Sequence, residues 1–416
     1  MNQKTLVGLA IAALIAIVAA IVLNQRSQPR SEGTTEQTTY LAAALRDRVN
    51  DIGKLVVTAA GNKTIATLTR AADGWVVAEK GGYAVDTGKL RELLLKLADA
   101  KLLEQKTSNK DKYATLGVED VAAKDAKGLQ VELDGLAQPL TVIVGTTNPR
   151  GGTFVRRAGD AQSWLTSATL TIPKDAADWL KKDLADIPAN RIAAVTITHA
   201  DGKSVRVHKD VAGDANYTVA DIPKGRQAGS EFTSNGLASA LAGLRFDDVL
   251  ATKDAVPGQS ALKAHYAAFD GLVVDVSAWD KDGKDYAQFK ASFDAAQADK
   301  GIAAAQAKAK ADFAMATAAA DAAKNSKEAQ AEDAADAPIK PLSVSDPAKD
   351  RENRLAVLNK EIADLNTRFD GWTFVLPAYK YASINKSIED LLKPLDAPAA
   401  ASGAPAPKKS VAQKKS

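Results

Sequence analysis

The sequence predicts an α+β protein. An N-terminal transmembrane helix precedes two tandem modules, each an antiparallel sheet with helices, related by internal duplication, and a helical hairpin is inserted in the second. Three observations carry this reading. Leu6 to Leu23 is an apolar run of 18 residues without a charge. Leu90, Leu94, Leu97 and Leu103 recur 147 positions later as Leu237, Leu241, Leu244 and Leu250. An alanine-rich stretch in the second half leads to Leu355, Leu358, Ile362, Leu365 and Phe369, spaced 3, 4, 3, 4, the period of a helix that buries one seam.

Taken in order, residues 1–23 form the anchor. Eighteen helical residues span about 27 Å, close to the hydrocarbon thickness of a bilayer, and place Leu6, Leu9, Leu14, Ile17 and Leu23 in lipid. Val18-Ala19-Ala20 offers a cleavage site, but the run continues to Leu23, longer than a signal peptide's apolar region. Lys4 on one side and Arg26 and Arg30 on the other leave the charge bias nearly neutral. Residues 24–50, polar with Pro29 and Gly33, read as a stalk.

The first module, 51–188, opens with LVVTAAG, KTIATLTR and GWVVAEK, separated by Gly-Asn and Asp-Gly turns: three antiparallel strands. Asp86 is the N-cap of a helix bearing the first leucine set on one buried stripe. The second module, 189–395, repeats the plan. In IAAVTITHADGKSVRVHKD the loop Ala200-Asp201-Gly202 sets Ile197 opposite Val205 and Val195 opposite Val207. Thr233 or Ser234 caps the helix LASALAGLRFDDVLA. GLQVEL and GLVVDV open further strand pairs, TFVRR and WTFVLP supply the last strands, and Asp175–Leu184 and Ser383–Leu392 read as closing amphipathic helices. The hairpin insertion occupies about 293–369, and its deletion is expected to leave the body folded. Residues 396–416 form a Pro/Ala/Lys tail whose composition cannot make a core.

Composition narrows the chemistry. The 416 residues carry 54 basic and 51 acidic side chains, a net +3, too balanced for a dedicated nucleic-acid binder. The absence of cysteine excludes a disulfide scaffold, thiol catalysis and any Cys-based metal site. His199, His208 and His265 are the three histidines; the first two fall on opposite strand faces, and the third is remote. There is no GxxxxGK[ST] loop, GxSxG elbow or HExxH helix. The loop Gly145–Gly152 reads as a hairpin connection, and the pairs Glu119-Asp120 and Asp247-Asp248 as solvated carboxylates. Arg156 and Arg157 must point to opposite faces of their strand.

The ordered set DGWVVAEKGGYAVDTGKLRELLLKLADAKLLE, KYATLGVED, TFVRRAGDAQSWLTS and WLKKDLADIPANRIAAVTI, behind one apolar segment, resembles the bacterial domain-of-unknown-function family 4340. The approach to the first helix departs from the family pattern, reading Gly-Gly-Tyr83-Ala-Val-Asp without a proline, and the alanine-rich arm is a local elaboration. The resemblance implies an envelope protein found near gliding-type ABC transporters and supplies no catalytic residue.

The expected function is therefore that of a non-catalytic accessory or scaffold protein. It would be anchored in the inner membrane with its bulk in the periplasm, without cofactor or metal. Its partners would be the bilayer and an envelope protein such as an ABC permease, the latter engaged by Leu355, Leu358, Ile362, Leu365 and Phe369. The alternative is a periplasmic module that binds a small ligand or glycan in the cleft between the two modules.

Overall fold

A computed structural model describes residues 39–325 and 338–395. The anchor residues Leu6, Leu9, Leu14, Ile17 and Leu23, most of the stalk and the tail lie outside the described residues. Among the described residues no helix is long and apolar enough to cross a membrane.

The protein is of mixed α and β structure with large antiparallel sheets. The first half runs β1 (Lys54–Ala59), β2 (Lys63–Ala71), β3 (Gly74–Val77), β4 (Tyr83–Ala84), α1 (Thr87–Asp99) and β5 (Leu102–Gln105). It continues with β6 (Leu129–Asp134), β7 (Leu140–Thr147), β8 (Thr153–Arg157) and β9 (Ser163–Thr166). Next come β10 (Asp183–Ala185), β11 (Ile192–Thr198), β12 (Ser204–His208), β13 (Thr218–Val219), β14 (Arg226–Ala228) and α2 (Glu231–Ala238). β15 (Leu244–Arg245), β16 (Asp248–Ala251), β17 (Leu262–Ala268), β18 (Leu272–Lys281) and β19 (Lys284–Phe293) precede the long helices α3 (Ala295–Asn325) and α4 (Pro347–Phe369). β20 (Trp372–Leu376), α5 (Ala378–Ile384) and β21 (Leu392–Pro394) close the chain.

These elements form two compact units, one of residues 39–64 and 91–172, the other of residues 65–90 and 173–395. Residues 65–90, expected within the first module, thus pack with the second unit.

In the first unit the strand order is β1-β6-β7-β8-β9-β5, all antiparallel. Alternation makes the core: Leu129, Val131 and Leu133 of β6 are buried while the residues between them are half-exposed. Arg156 and Arg157 do take opposite faces of β8. Arg156 is 3% exposed, donating to the carbonyls of Val118 and Asp160 at 2.9 Å each and pairing with Asp120, its guanidinium 4.6 Å from the Tyr113 ring centroid. Arg157 donates instead to the carbonyls of Tyr40 and Leu41.

In the second unit the main sheet runs β13-β12-β11-β17-β18-β19-β20-β16. The β11–β12 hairpin has the expected register, Val195 opposite Val207 and Ile197 opposite Val205, and its turn needs Gly202 at φ 82°. Residues 65–90 contribute a ribbon, β3 pairing with β2 and with β4.

Helix assignments depart from expectation where strand pairing wins. Asp86 does cap α1, accepting from Gly88 and Lys89 at 3.0 and 3.2 Å. Leu90, Leu94 and Leu97 are buried as expected, but Leu103 lies in β5 and is exposed. The second helix is capped by Ser230, not Thr233 or Ser234, and ends at Ala238. Leu244 and Leu250 sit in strands, because Leu244 pairs with Ala185 and Leu250 with Thr373. Asp175–Leu184 is a 3-10 turn at Ala176–Trp179 followed by β10, since Leu180 is drawn into an extended bridge with Val85. In Ser383–Leu392 only Ser383 and Ile384 are α-helical, as the end of α5; a 3-10 turn at Ile388–Leu391 follows, then Leu392 pairing with Ala228.

Candidate functional site

The second unit carries a groove of about 480 Å³ where the long helices meet the sheet. It is built from the sheet outward. Asp294 follows β19 and caps α3, accepting from the Gln297 amide at 3.0 Å. The first turns of α3 press on the β17–β18 turn so closely that a Cβ on Gly301 would lie 2.2 Å from the Phe269 carbonyl oxygen. Ala298 and Ile302 are buried there. α4 starts at the N-cap Asp346 with Pro347 in its first turn and returns to the sheet. Near its end the Asn366 amide exchanges two hydrogen bonds with the Ala291 backbone, at 2.8 and 2.9 Å. Phe369 then meets Phe289 at 5.4 Å between centroids.

Phe269, Ile302, Leu355 and Leu358 give the groove its apolar lining. One wall is an ionic clamp: Arg191 reaches both oxygens of Glu361 at 2.7 Å and, through Nε, Asp270 at 2.7 Å. Burial works against the Arg191 charge, and the hydrogen bonds and charges of Glu361 and Asp270 outweigh it, so its pKa rises above the ordinary arginine value. At the other end Asp350 accepts from Arg354 at 2.8 Å and Gln306 at 3.0 Å. These two partners, Arg354 first, hold its carboxyl below the usual range. A fork-shaped pair and a doubly bonded carboxylate fix the helices. What remains open is an apolar trough that suits an aliphatic or aromatic side chain.

The proposed contact seam divides here. Leu358, Leu365 and Phe369 are buried within their own unit, and Leu355 and Ile362 are half-buried. Most of the seam therefore holds α4 to the sheet, and the exposed surface of the arm lies elsewhere, with Val357 69% and Met315 64% exposed. Three residues of the stretch 293–369, Leu358, Leu365 and Phe369, thus belong to the core of the second unit. Arg191 and Glu361 were not singled out by sequence reasoning: 170 residues separate them, and neither lies in a recognisable pattern.

Other candidates resolve individually. Asp248 pairs with Lys80 at 2.6 Å, His265 with Asp275 at 2.7 Å, and His199 contacts the Lys386 carbonyl. Gly145–Gly152 comprises the end of β7 and its connection to β8. Among the described residues no group of three or more His, Asp or Glu side chains is placed to hold a metal ion.

No curated protein and no solved structure matches the chain. Residues 75–264 do match a family model, that described as a domain of unknown function (DUF4340), the family that the sequence resembles.

Proposed function

We propose that this protein is a non-catalytic accessory or scaffold protein of a bacterial envelope complex, serving as an auxiliary subunit of a gliding-type ABC transporter. In this reading residues 6–23 hold it in the inner membrane, with the bulk of the chain periplasmic. Support comes from the apolar run Leu6–Leu23, from the family resemblance and from the absence of a phosphate loop, which leaves energy supply to another subunit. The observation that carries the reading is the arm. α3 is 31 residues long, about 46 Å; its first turns press on the β17–β18 turn, and α4 is fixed by the Arg191 clamp and Phe369, so the arm presents a surface at a set position. The mechanism is placement: the anchor confines the chain to the membrane, and the arm engages the partner through Val357, Met315 and the neighbouring groove.

We infer further that the two halves are copies of one unit. The orders β1-β6-β7-β8-β9-β5 and β11-β17-β18-β19-β20-β16 correspond strand for strand. The capped 3-10 turns at Asp175 and Ser387 lead alike to a paired leucine, Leu180 or Leu392.

Mild crosslinking in native membranes tests the function. The wild-type chain should bring down a permease or its ATPase, and Val357→Asp or Met315→Asp should abolish this while leaving stability within about 0.5 kcal/mol, as for exposed substitutions generally. Recovery of the chain alone would refute the accessory role.

A further inference from the structure

One edge of the second unit's main sheet is only half closed. β13 is its outermost strand and pairs with β12 alone. Successive residues of an antiparallel strand turn their main-chain groups towards the partner and away from it in alternation. Ala220 donates to the Arg206 carbonyl at 2.9 Å, so the preceding residue, Val219, turns its N–H and C=O to the open side. Two residues earlier that side is taken, because the Tyr217 N–H donates to Asn235 of α2 at 3.0 Å. Beside Val219 there is instead a gap of about 250 Å³, lined also by Ile222, Ala228, Ser230 and Glu231.

A second strand edge borders the same gap. β14 pairs with β21, where Gly229 donates to the Leu391 carbonyl at 2.7 Å and Leu395 to the Gly225 carbonyl at 3.3 Å. By the same alternation Ala228 turns its N–H and C=O away from β21. Among the described residues neither Val219 nor Ala228 finds a hydrogen-bond partner on these sides. Two unpaired main-chain edges on one gap are the complement of a third extended segment. Glu231 is the one charged side chain among the described residues that line it.

We propose that Lys408–Gln413 of this same chain takes the gap as an added strand and seals the open edge. Residues 396–416 lie outside the described residues. The last described residue, Leu395, is bonded to Gly225, three positions from Ala228. Twelve residues stand between Leu395 and Lys408, enough to cover about 40 Å when extended, against roughly 10 Å from Gly225 to Ala228. Such a tether holds the segment at a millimolar effective concentration, ahead of a strand arriving from another molecule. Composition selects the segment. Pro398, Pro405 and Pro407 lack the donor that a central strand needs, and the proline-free run 399–404 has no cation to meet Glu231. Lys408–Gln413 is free of proline and supplies Lys408 and Lys409, while Ser410 and Val411, being successive, turn to the two borders in turn. The seal has a physical use, since an open edge is a template for pairing with other chains. The inference rests on neither the accessory role nor the repeat reading.

The chain has no cysteine, so a pair can be introduced cleanly. Full-length protein in detergent carrying Ile222→Cys and Val411→Cys should be linked within one molecule by a short bismaleimide. The yield should be several-fold above that of Lys263→Cys with Val411→Cys, Lys263 being exposed on β17. Amide exchange gives a second readout on the full-length chain. Ser410→Pro with Val411→Pro removes a donor towards each border and should speed exchange at Val219 and Ala228 about tenfold. A peptide of residues 408–416, added at millimolar concentration, should slow it again. Glu231→Gln should speed exchange at Val219 about twofold, the size of one exposed ion pair. Equal crosslinking of the two cysteine pairs, or links formed only between molecules, would overturn the proposal. So would exchange at Val219 and Ala228 that the prolines leave unchanged, whether fast, with the edge open, or slow, with another strand in the gap.

Discussion

Two buried side chains show how single residues set the stability of each unit. Arg156 is surrounded by acceptors and an aromatic face, so removing it strands the Val118 and Asp160 carbonyls and frees Asp120. Arg156→Ala should cost about 2 kcal/mol, chiefly because the buried Val118 carbonyl loses its donor, read as a lower midpoint in urea unfolding. Tyr83 acts through its proton. Burial pushes its phenol up from 10.0 to about 12, partly offset by the Arg368 charge. The unfolded chain therefore gives up this proton first. Stability is full below about pH 10 and falls as pH rises towards 12. Tyr83→Phe should flatten part of that alkaline slope in thermal melts taken from pH 9 to 12, and an unchanged slope would remove Tyr83 as its source.

At the scale of elements, propensity and packing disagree at Gly301. In a helix interior alanine is favoured over glycine by about 1 kcal/mol, so propensity alone predicts that Gly301→Ala strengthens α3. The carbonyl of Phe269 lies where the new methyl would go, and the structure predicts the opposite sign: a lower melting temperature and loosening of α3 from the β17–β18 turn, visible as faster amide exchange at Ile302. The same contest explains what could be read in advance. The β11–β12 register and the Asp86 cap follow from alternation and local hydrogen bonding, both written within a few residues. Trp179-Leu180 and Leu244 could not be placed, because their conformations are set by Val85 and Ala185, partners far along the chain or on another element. Leu358, Leu365 and Phe369 of the α4 seam are buried, as the helical spacing predicts, while Leu355 and Ile362 are half-buried. What the seam is buried against, Phe289 and Ala291 of its own sheet, has no local signature. The Arg191–Glu361 clamp was hidden for the same reason.

At the scale of the whole molecule, the compact units do not coincide with the stretches of sequence that look like modules. A chain begun at residue 186 would carry every strand of the second unit's main sheet, yet lack residues 65–90. Phe246, Trp372 and Phe374 would lose Tyr83, their edge-on neighbour. Such a chain should bind a hydrophobic dye strongly and sediment as aggregates, whereas the chain from residue 39 should do neither. Equal behaviour of the two would mean that the ribbon is dispensable. The interleaving also sets a timetable for synthesis. Tyr83 leaves the ribosome about 290 residues before Phe374, an interval of roughly 15–60 s at ordinary translation rates. Until then the Tyr83 ring lacks Trp372 and Phe374, so the ribbon's apolar side chains are an early client for a holding chaperone, and the speed of elongation becomes a determinant of how much protein is correctly assembled.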